Sequence, residues 1–112
     1  MDCIFCRIIS GEIQSEILYQ DEQAVAFRDV NPKAPVHLLV VPRKHIESVA
    51  ELTEDEAPIL GHLVAVANRL AREAGISEKG YRLVVNCGPD GGQVVPHLHL
   101  HLLGGRQMGK LG

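Results

Sequence analysis

The sequence of 112 residues has few cysteines, little net charge and no long apolar run, and each shortage excludes a class of protein. Three cysteines are an odd number, which does not suit a disulfide framework. The formal net charge of -3 argues against a general nucleic-acid binder, because such proteins need a basic patch to displace counterions. No apolar stretch approaches bilayer length and no basic segment leads into one near Met1, so we expect a cytoplasmic protein that does not bind membranes.

Repeats, linkers and low-complexity tracts are missing as well. The length predicts a single domain, residues 1–112, that is long enough to bury one core and too short for two. Because the net charge is negative, an anionic ligand has to be held by local donors.

Short apolar runs bounded by turn residues predict five strands. They cover residues 17–19, 24–28, 36–41, 81–86 and 94–103. The first two flank a polar loop of four residues and form a hairpin, and Pro42 closes the third because proline cannot continue a central ladder. Short connections with one long helical crossover predict an antiparallel α+β domain.

The crossover helix is predicted from its first turn and its apolar spacing. Thr53 and Glu56 match a capping box. Pro58 removes one backbone donor, so we expect a kinked or delayed start. The helix runs to about Glu73, and Gly75 suits a left-handed cap beyond it. Its apolar face consists of Leu60, Leu63, Ala67 and Leu70.

Three histidines alternate at His97, His99 and His101, and leucines stand between them. Successive side chains of a strand point to opposite faces, so the three imidazoles are expected to share one face while the leucines enter the core. Such a row suits metal binding, or a nucleophilic imidazole oriented by its neighbours. An ordinary half-exposed strand is the third interpretation.

The segment from Asn86 to Leu103, with Gly91, Gly92 and Gln93 ahead of the histidines, resembles the signature of the histidine triad (HIT) family of nucleotide hydrolases and transferases. The resemblance runs nearly end to end and includes residues 4–5, 8–9, 26–32, 34–37 and 104–108. The last stretch is similar to the Hint branch rather than to the dinucleoside-polyphosphate hydrolases. The resemblance implies a HIT-like fold, with a five-stranded antiparallel sheet, one long helix and a short N-terminal helix.

The resemblance also implies catalytic roles. His99 would attack the α-phosphorus of a nucleotide and become covalently nucleotidylated, with its other ring nitrogen held by an acceptor. His101 would donate to a non-bridging phosphate oxygen, with help from the backbone amides of residues 92–94. His97 and His37 complete the expected catalytic set.

The expected nucleotide-binding residues follow in the same way. Asp29 resembles the carboxylate that accepts from the ribose hydroxyls, although on its own it is typical of a turn. Val30 would line the base pocket and Asn86 would approach the phosphate. The remaining expected contacts are Phe5, Ile8, Ile13, Gly92, Gln93, Val94, His99 and His101.

One residue departs from the branch. Val94 stands where the branch usually has serine, so side-chain help to the leaving amine is missing while backbone binding survives. Family members are homodimers, and a homodimer is expected here. The chain ends soon after Met108 and has no tryptophan, so the tail that often reaches the partner's site is truncated.

The cysteine pair Cys3 and Cys6 is weak evidence by itself, but together with two histidines it suits a closed tetrahedral zinc site. Some microbial family members bind zinc with such a pair, a histidine after the third strand and the first triad histidine, which correspond to His45 and His97. Two uncoordinated thiols or a redox pair are the alternatives. Bound to zinc, His97 would orient rather than donate a proton, and His37 would support the catalytic face.

Two other residues are expected to be structural, namely His62 as a surface histidine without partners and Cys87 as a small buried filler.

We expect a hydrolase that splits the P–N bond of purine nucleoside phosphoramidates with AMP- or GMP-type ligands and no catalytic cofactor. The alternatives are a dinucleoside polyphosphate hydrolase or nucleotidyl transferase, a regulatory nucleotide-binding module with little turnover, and a metalloenzyme that uses His97, His99 and His101 as ligands.

Overall fold

The fold is seen in a computed structural model that describes residues 3–111. Five strands and two α-helices follow one another in the chain as α1 (Ile4–Ser10), β1 (Ile17–Gln20), β2 (Ala24–Arg28), β3 (Val36–Pro42), α2 (Ala57–Glu73), β4 (Tyr81–Val84) and β5 (Leu100–Gly104). The strands form one antiparallel sheet in the order β1-β2-β3-β5-β4. The predicted α+β fold, with its long helix and its short N-terminal helix, is confirmed. None of the helices in this range is long and apolar enough to cross a membrane.

The long helix begins later than its capping box. A 3-10 turn over Glu54–Glu56 follows Thr53, whose amide donates to the Glu56 carboxylate at 3.3 Å, and α2 starts only at Ala57. Pro58 lies in the first turn, where its missing N–H is not needed. Gly75 ends the helix with φ of +74°, as predicted.

The sheet buries apolar residues on both faces, and the two faces differ. Alternate residues of β2 and β3 contribute to a large core beneath α2 and to a smaller cluster beneath α1. Leu98, Leu100 and Leu102 all enter the large core. The residues that alternate with these leucines therefore lie on the α1 face, namely His99, His101 and Leu103. The short helix leaves room for a cavity there.

The last strand is shorter than predicted. Residues 94–99 are not part of β5, because the His97 amide donates to the Val95 carbonyl at 2.8 Å and the Leu98 amide donates to Ile46 at 2.6 Å. This segment bonds to itself and to the loop after β3 instead of joining the ladder. The predicted facing of the three histidines survives, since the Phe5 ring contacts both His97 and His99, and the His99 and His101 rings lie 5.0 Å apart.

Two structural predictions are wrong. His62 has a partner, because its Nε2 lies 2.7 Å from the Asp21 carboxylate and ties α2 to the β1–β2 turn. Cys87 is exposed rather than buried. None of the three cysteines forms a disulfide, and all three lie within the described residues.

Candidate active site

The face of the sheet opposite α2 holds a cavity of about 450 Å³. Its apolar wall consists of Phe5, Ile8, Phe27 and Leu39. Its polar lining includes Asp29, Asn86 and three histidines, His37, His99 and His101. An apolar wall facing a few convergent polar groups is the usual form of a small-molecule site.

The orientation of the His99 ring is fixed by a backbone carbonyl. Its Nδ1 lies 2.7 Å from the His97 carbonyl oxygen, and a carbonyl can only accept. In the neutral ring Nδ1 therefore carries the proton and Nε2 keeps its lone pair. The Phe5 ring meets the His99 ring edge-on, with centroids 5.2 Å apart. His99 is thus an imidazole of defined orientation at the cavity wall.

The tautomer of His101 is set by its hydrogen bond with His37. The Lys33 amide donates to His37 Nδ1 at 3.0 Å, so a neutral His37 carries its proton on Nε2. That nitrogen lies 2.9 Å from His101 Nδ1 and 3.3 Å from the Asp29 carboxylate. When His37 donates to His101, the proton of His101 is on its Nε2.

The two linked histidines are neutral at neutral pH. Burial lowers the pKa of His101 to about 4, with the neighbouring His99 and His37 acting in the same direction and Asp29 opposing them. Burial also lowers the pKa of His37, although the charge of Asp29 opposes this shift. His101 is therefore a hydrogen-bond donor rather than a cationic acid.

Asp29 is both a turn residue and a cavity residue. Its Oδ1 accepts from the Asn31 amide at 2.8 Å, as expected of a turn aspartate. Its Oδ2 is the oxygen near His37. The turn bond therefore engages one oxygen of the carboxylate, and the other oxygen lies at His37.

The loop before β5 is held by its own side chains. The Gln93 amide group donates to the Glu47 and Val95 carbonyls and accepts from the Gly88 amide. A Cβ atom on Gly91 would collide with the Cys87 carbonyl oxygen.

Among the expected nucleotide contacts, Gln93 and Ile13 do not line this cavity, whereas Val30, Gly92 and Val94 do.

The loop amides differ from expectation. Gly92 and Gln93 donate within the loop, to the Pro89 and Gly88 carbonyls at 3.0 Å each. Of the three amides expected to meet phosphate, only that of Val94 has no acceptor among the described residues. Of these three amides, that of Val94 is therefore the one left open to a ligand.

The predicted metal ligands come together at the N-terminus of α1. His97 Nδ1 lies 3.4 Å from Cys3 Sγ, 3.6 Å from Cys6 Sγ and 3.2 Å from His45 Nδ1. Cys6 Sγ lies 3.4 Å from His45 Nδ1. The four ligand atoms converge within 4.8 Å of one another, and His97 is fully buried.

This geometry fits zinc. Tetrahedral zinc bonds of about 2.3 Å to sulfur and about 2.0 Å to nitrogen place sulfur and nitrogen about 3.5 Å apart and two nitrogens about 3.3 Å apart. His97 Nε2 donates to the Pro42 carbonyl at 2.9 Å, which leaves Nδ1 deprotonated and aimed at the other three ligands. Burial lowers the pKa of His97, which also favours the neutral, ligating ring.

The three triad histidines do not share one metal site. Within residues 3–111, His97 groups with the cysteines, His101 groups with Asp29 and His37, and His99 belongs to neither set. The second set is a poor site, because the Lys33 amide occupies His37 Nδ1 and keeps the proton on the nitrogen that a metal would need. The Pro42 carbonyl and the Lys33 amide are backbone groups, which every residue type other than proline at the amide provides. The sequence pattern could therefore not predict that they bond to His97 and His37.

Comparison with known proteins gives consistent matches over most of the chain. Residues 10–108 match the family model of the HIT domain. The purine nucleoside phosphoramidase of Escherichia coli K12 is 44% identical over 98% of this chain and 92% of its own length. An uncharacterized HIT-like protein of Synechococcus elongatus is 50% identical over 96% of this chain and 93% of its own. The structure of a HIT family hydrolase from Clostridium thermocellum superposes with a TM-score of 0.95 at 51% identity, covering 98% of this chain and 96% of the other.

Proposed function

Because the chain belongs to the HIT family, we propose that it hydrolyses the P–N bond of purine nucleoside phosphoramidates through a nucleotidylated His99. The observation that carries this proposal is the 2.7 Å bond from His99 Nδ1 to the His97 carbonyl, which places the lone pair of the neutral ring on Nε2. The E. coli relative that bears the name purine nucleoside phosphoramidase supports the substrate class.

In the proposed reaction, His99 Nε2 attacks the α-phosphorus and the P–N bond breaks. The electron pair goes to the amine nitrogen, which takes a proton from water, and the hydroxide left behind attacks the phosphorus of the His99 adduct. His99 regains its lone pair and the nucleoside monophosphate departs. The His97 carbonyl stabilises the transient positive charge on the imidazole, and His101 Nε2–H donates to a phosphate oxygen.

The rest of the cavity suits a nucleoside. Asp29 Oδ2 would accept from the ribose hydroxyls, while the apolar wall of Phe5, Ile8, Phe27 and Leu39 would hold a two-ring base. Cys3, Cys6, His45 and His97 would hold a structural zinc ion, which supplies a cross-link between α1 and the sheet. The homodimer and the cytoplasmic location remain proposals drawn from the sequence.

The test of the proposed function is a His99→Ala variant with AMP phosphoramidate as substrate. We expect turnover to fall on the order of 10³-fold or more, because the nucleophile is removed, while AMP still binds. Phosphorus-labelled substrate quenched in mid-reaction should leave a labelled wild-type protein and an unlabelled variant. His62→Ala, a histidine outside the cavity, is the matched control. A His99→Ala protein that stays active and labelled would exclude His99 as the nucleophile, and one that stays active while wild-type protein takes no label would exclude the covalent mechanism.

A further inference from the structure

The order of the strands separates two sides of the cavity. Asp29 follows β2, whereas Asn86 follows β4, and the strand that bears His101 lies between β3 and β4 in the sheet. In the proposed function Asp29 places the nucleoside on the β2 side. The group that departs from the phosphorus then faces residues 84–95 on the β4 side.

The charges of the cavity lie on one of these sides only. Its charged lining residues other than histidine are Arg28, Asp29 and Lys33, all at the end of β2 or just after it. The lining residues from the segment 84–95, all of which the structure describes, are Val84, Asn86, Gly92, Val94 and Val95. None of these five is charged.

Two of the polar groups on the β4 side bond within their own loop. The Asn86 side-chain amide donates to the Gly91 carbonyl at 2.7 Å, and the Gly92 amide donates to Pro89. His97, the nearest triad histidine to this loop in sequence, has Nε2 on the Pro42 carbonyl and Nδ1 among the metal ligands. A charged group bound here would meet no opposite charge among the five lining residues, whereas an apolar group would meet three valines.

Val94 offers an apolar surface in a fixed position. Its side chain is 88% exposed, although the loop that carries it is held by the bonds of Gln93 and Asn86. Val95 beside it packs against the cluster beneath α1. A fixed apolar side chain binds an apolar partner without a loss of loop flexibility.

We propose that the amine released by this protein carries an uncharged, apolar body that packs against Val94 and Val95, an inference that rests on the proposed function. It excludes lysine-type amines with charged ends as the preferred leaving group. It also disfavours dinucleoside polyphosphates, whose further phosphates would meet no cation on this side.

The test compares two AMP phosphoramidates that share the nucleotide and differ in the amine. One carries phenethylamine, and the other carries lysine joined through its ε-nitrogen. Wild-type protein should show a kcat/KM on the order of tenfold higher for the phenethylamine compound. Val94→Ala should reduce this ratio to near one, whereas Leu111→Ala, which removes an exposed aliphatic side chain outside the cavity, should leave it unchanged.

The outcomes separate the two proposals. Equal kcat/KM for both compounds, with a label on His99, overturns the leaving-group inference and leaves the hydrolase standing. A ratio that Val94→Ala does not change also overturns the inference. No cleavage of either compound and no label on His99 overturns both proposals.

Discussion

Neighbouring backbone groups give each histidine of the row a different role. A carbonyl can only accept and an amide can only donate, so the Pro42 carbonyl directs His97 Nδ1 to the metal ligands and the His97 carbonyl frees His99 Nε2. The Lys33 amide acts on His101 through His37. In the proposed function the three imidazoles in alternate positions would therefore serve as ligand, nucleophile and donor.

Asp29→Ala tests whether the carboxylate binds ribose. We expect the affinity for AMP to fall by about tenfold or more, since hydrogen bonds to a charged group contribute about 1.5–3 kcal/mol. The affinity for a 2',3'-dideoxy analogue should fall much less, because it lacks both hydroxyls. Titration calorimetry with the two ligands measures the difference. An equal loss for both would mark Asp29 as a turn residue only, acting through its bond to the Asn31 amide.

At the scale of elements, the sequence predicted the faces better than the boundaries. The period of two from His97 to Leu102 correctly placed leucines in the core and histidines opposite them. It did not reveal that residues 94–99 leave the ladder, because the carbonyl of Ile46 that takes the Leu98 amide lies on a distant loop. Partners far apart in sequence also explain the missed bond between His62 and Asp21.

The short helix α1 carries two of the four candidate metal ligands at its N-terminal end. Cys3 is the N-cap of α1, where its sulfur accepts from the Cys6 amide at 3.4 Å. Phe5 lies between the two cysteines and contacts both Phe27 and His99. A metal held by Cys3, Cys6, His45 and His97 would thus fix one wall of the cavity to the sheet.

Cys3→Ser combined with Cys6→Ser should remove zinc and lower the melting temperature. Metal that binds only the folded chain adds directly to its stability, so we expect a loss of about 4 °C or more, with catalysis reduced less than stability. Elemental analysis of protein purified without chelator should give one zinc per wild-type chain. Cys87→Ser, which changes an exposed thiol outside the cluster, should keep both metal and stability. Wild-type protein without zinc, or zinc found on His99 and His101, would contradict the assignment.

At the scale of the whole molecule, one face of the sheet supplies stability and the other supplies chemistry. Beneath α2 the buried residues are apolar, whereas beneath α1 the sheet and its edges bury His37, His97 and His99. Buried imidazoles are tolerated there because each has a backbone or side-chain partner. In the described residues, no buried side-chain nitrogen or oxygen lacks a hydrogen bond. This arrangement links the stability of the molecule to pH.

The pKa of His101 in the folded protein is about 4, below the 6.5 of an unperturbed histidine, and the pKa of His37 is lowered as well. Between about pH 4 and about pH 6.5 the unfolded chain therefore binds more protons than the folded one. The free energy of unfolding should have its highest value above about pH 6.5 and should decrease as the pH falls toward about 4. Each such histidine adds a slope of up to about 1.4 kcal/mol per pH unit. Urea unfolding across this range measures it.

Two variants test which residues cause this pH dependence of the free energy of unfolding. His101→Gln should flatten the decline, and it should do so in the Cys3→Ser, Cys6→Ser background too, where acid release of metal no longer contributes. Asp21→Asn should keep the decrease in the free energy of unfolding between about pH 6.5 and about pH 4, and it should change the stability only at more acidic pH. Burial raises the pKa of Asp21, but hydrogen bonds from Tyr19, the Gln23 amide and His62 together hold it below 3.8, so its contribution is present above that pH and is lost as the carboxylate is protonated. A decline of unchanged slope in His101→Gln would show that the buried face is not the source of the acid sensitivity.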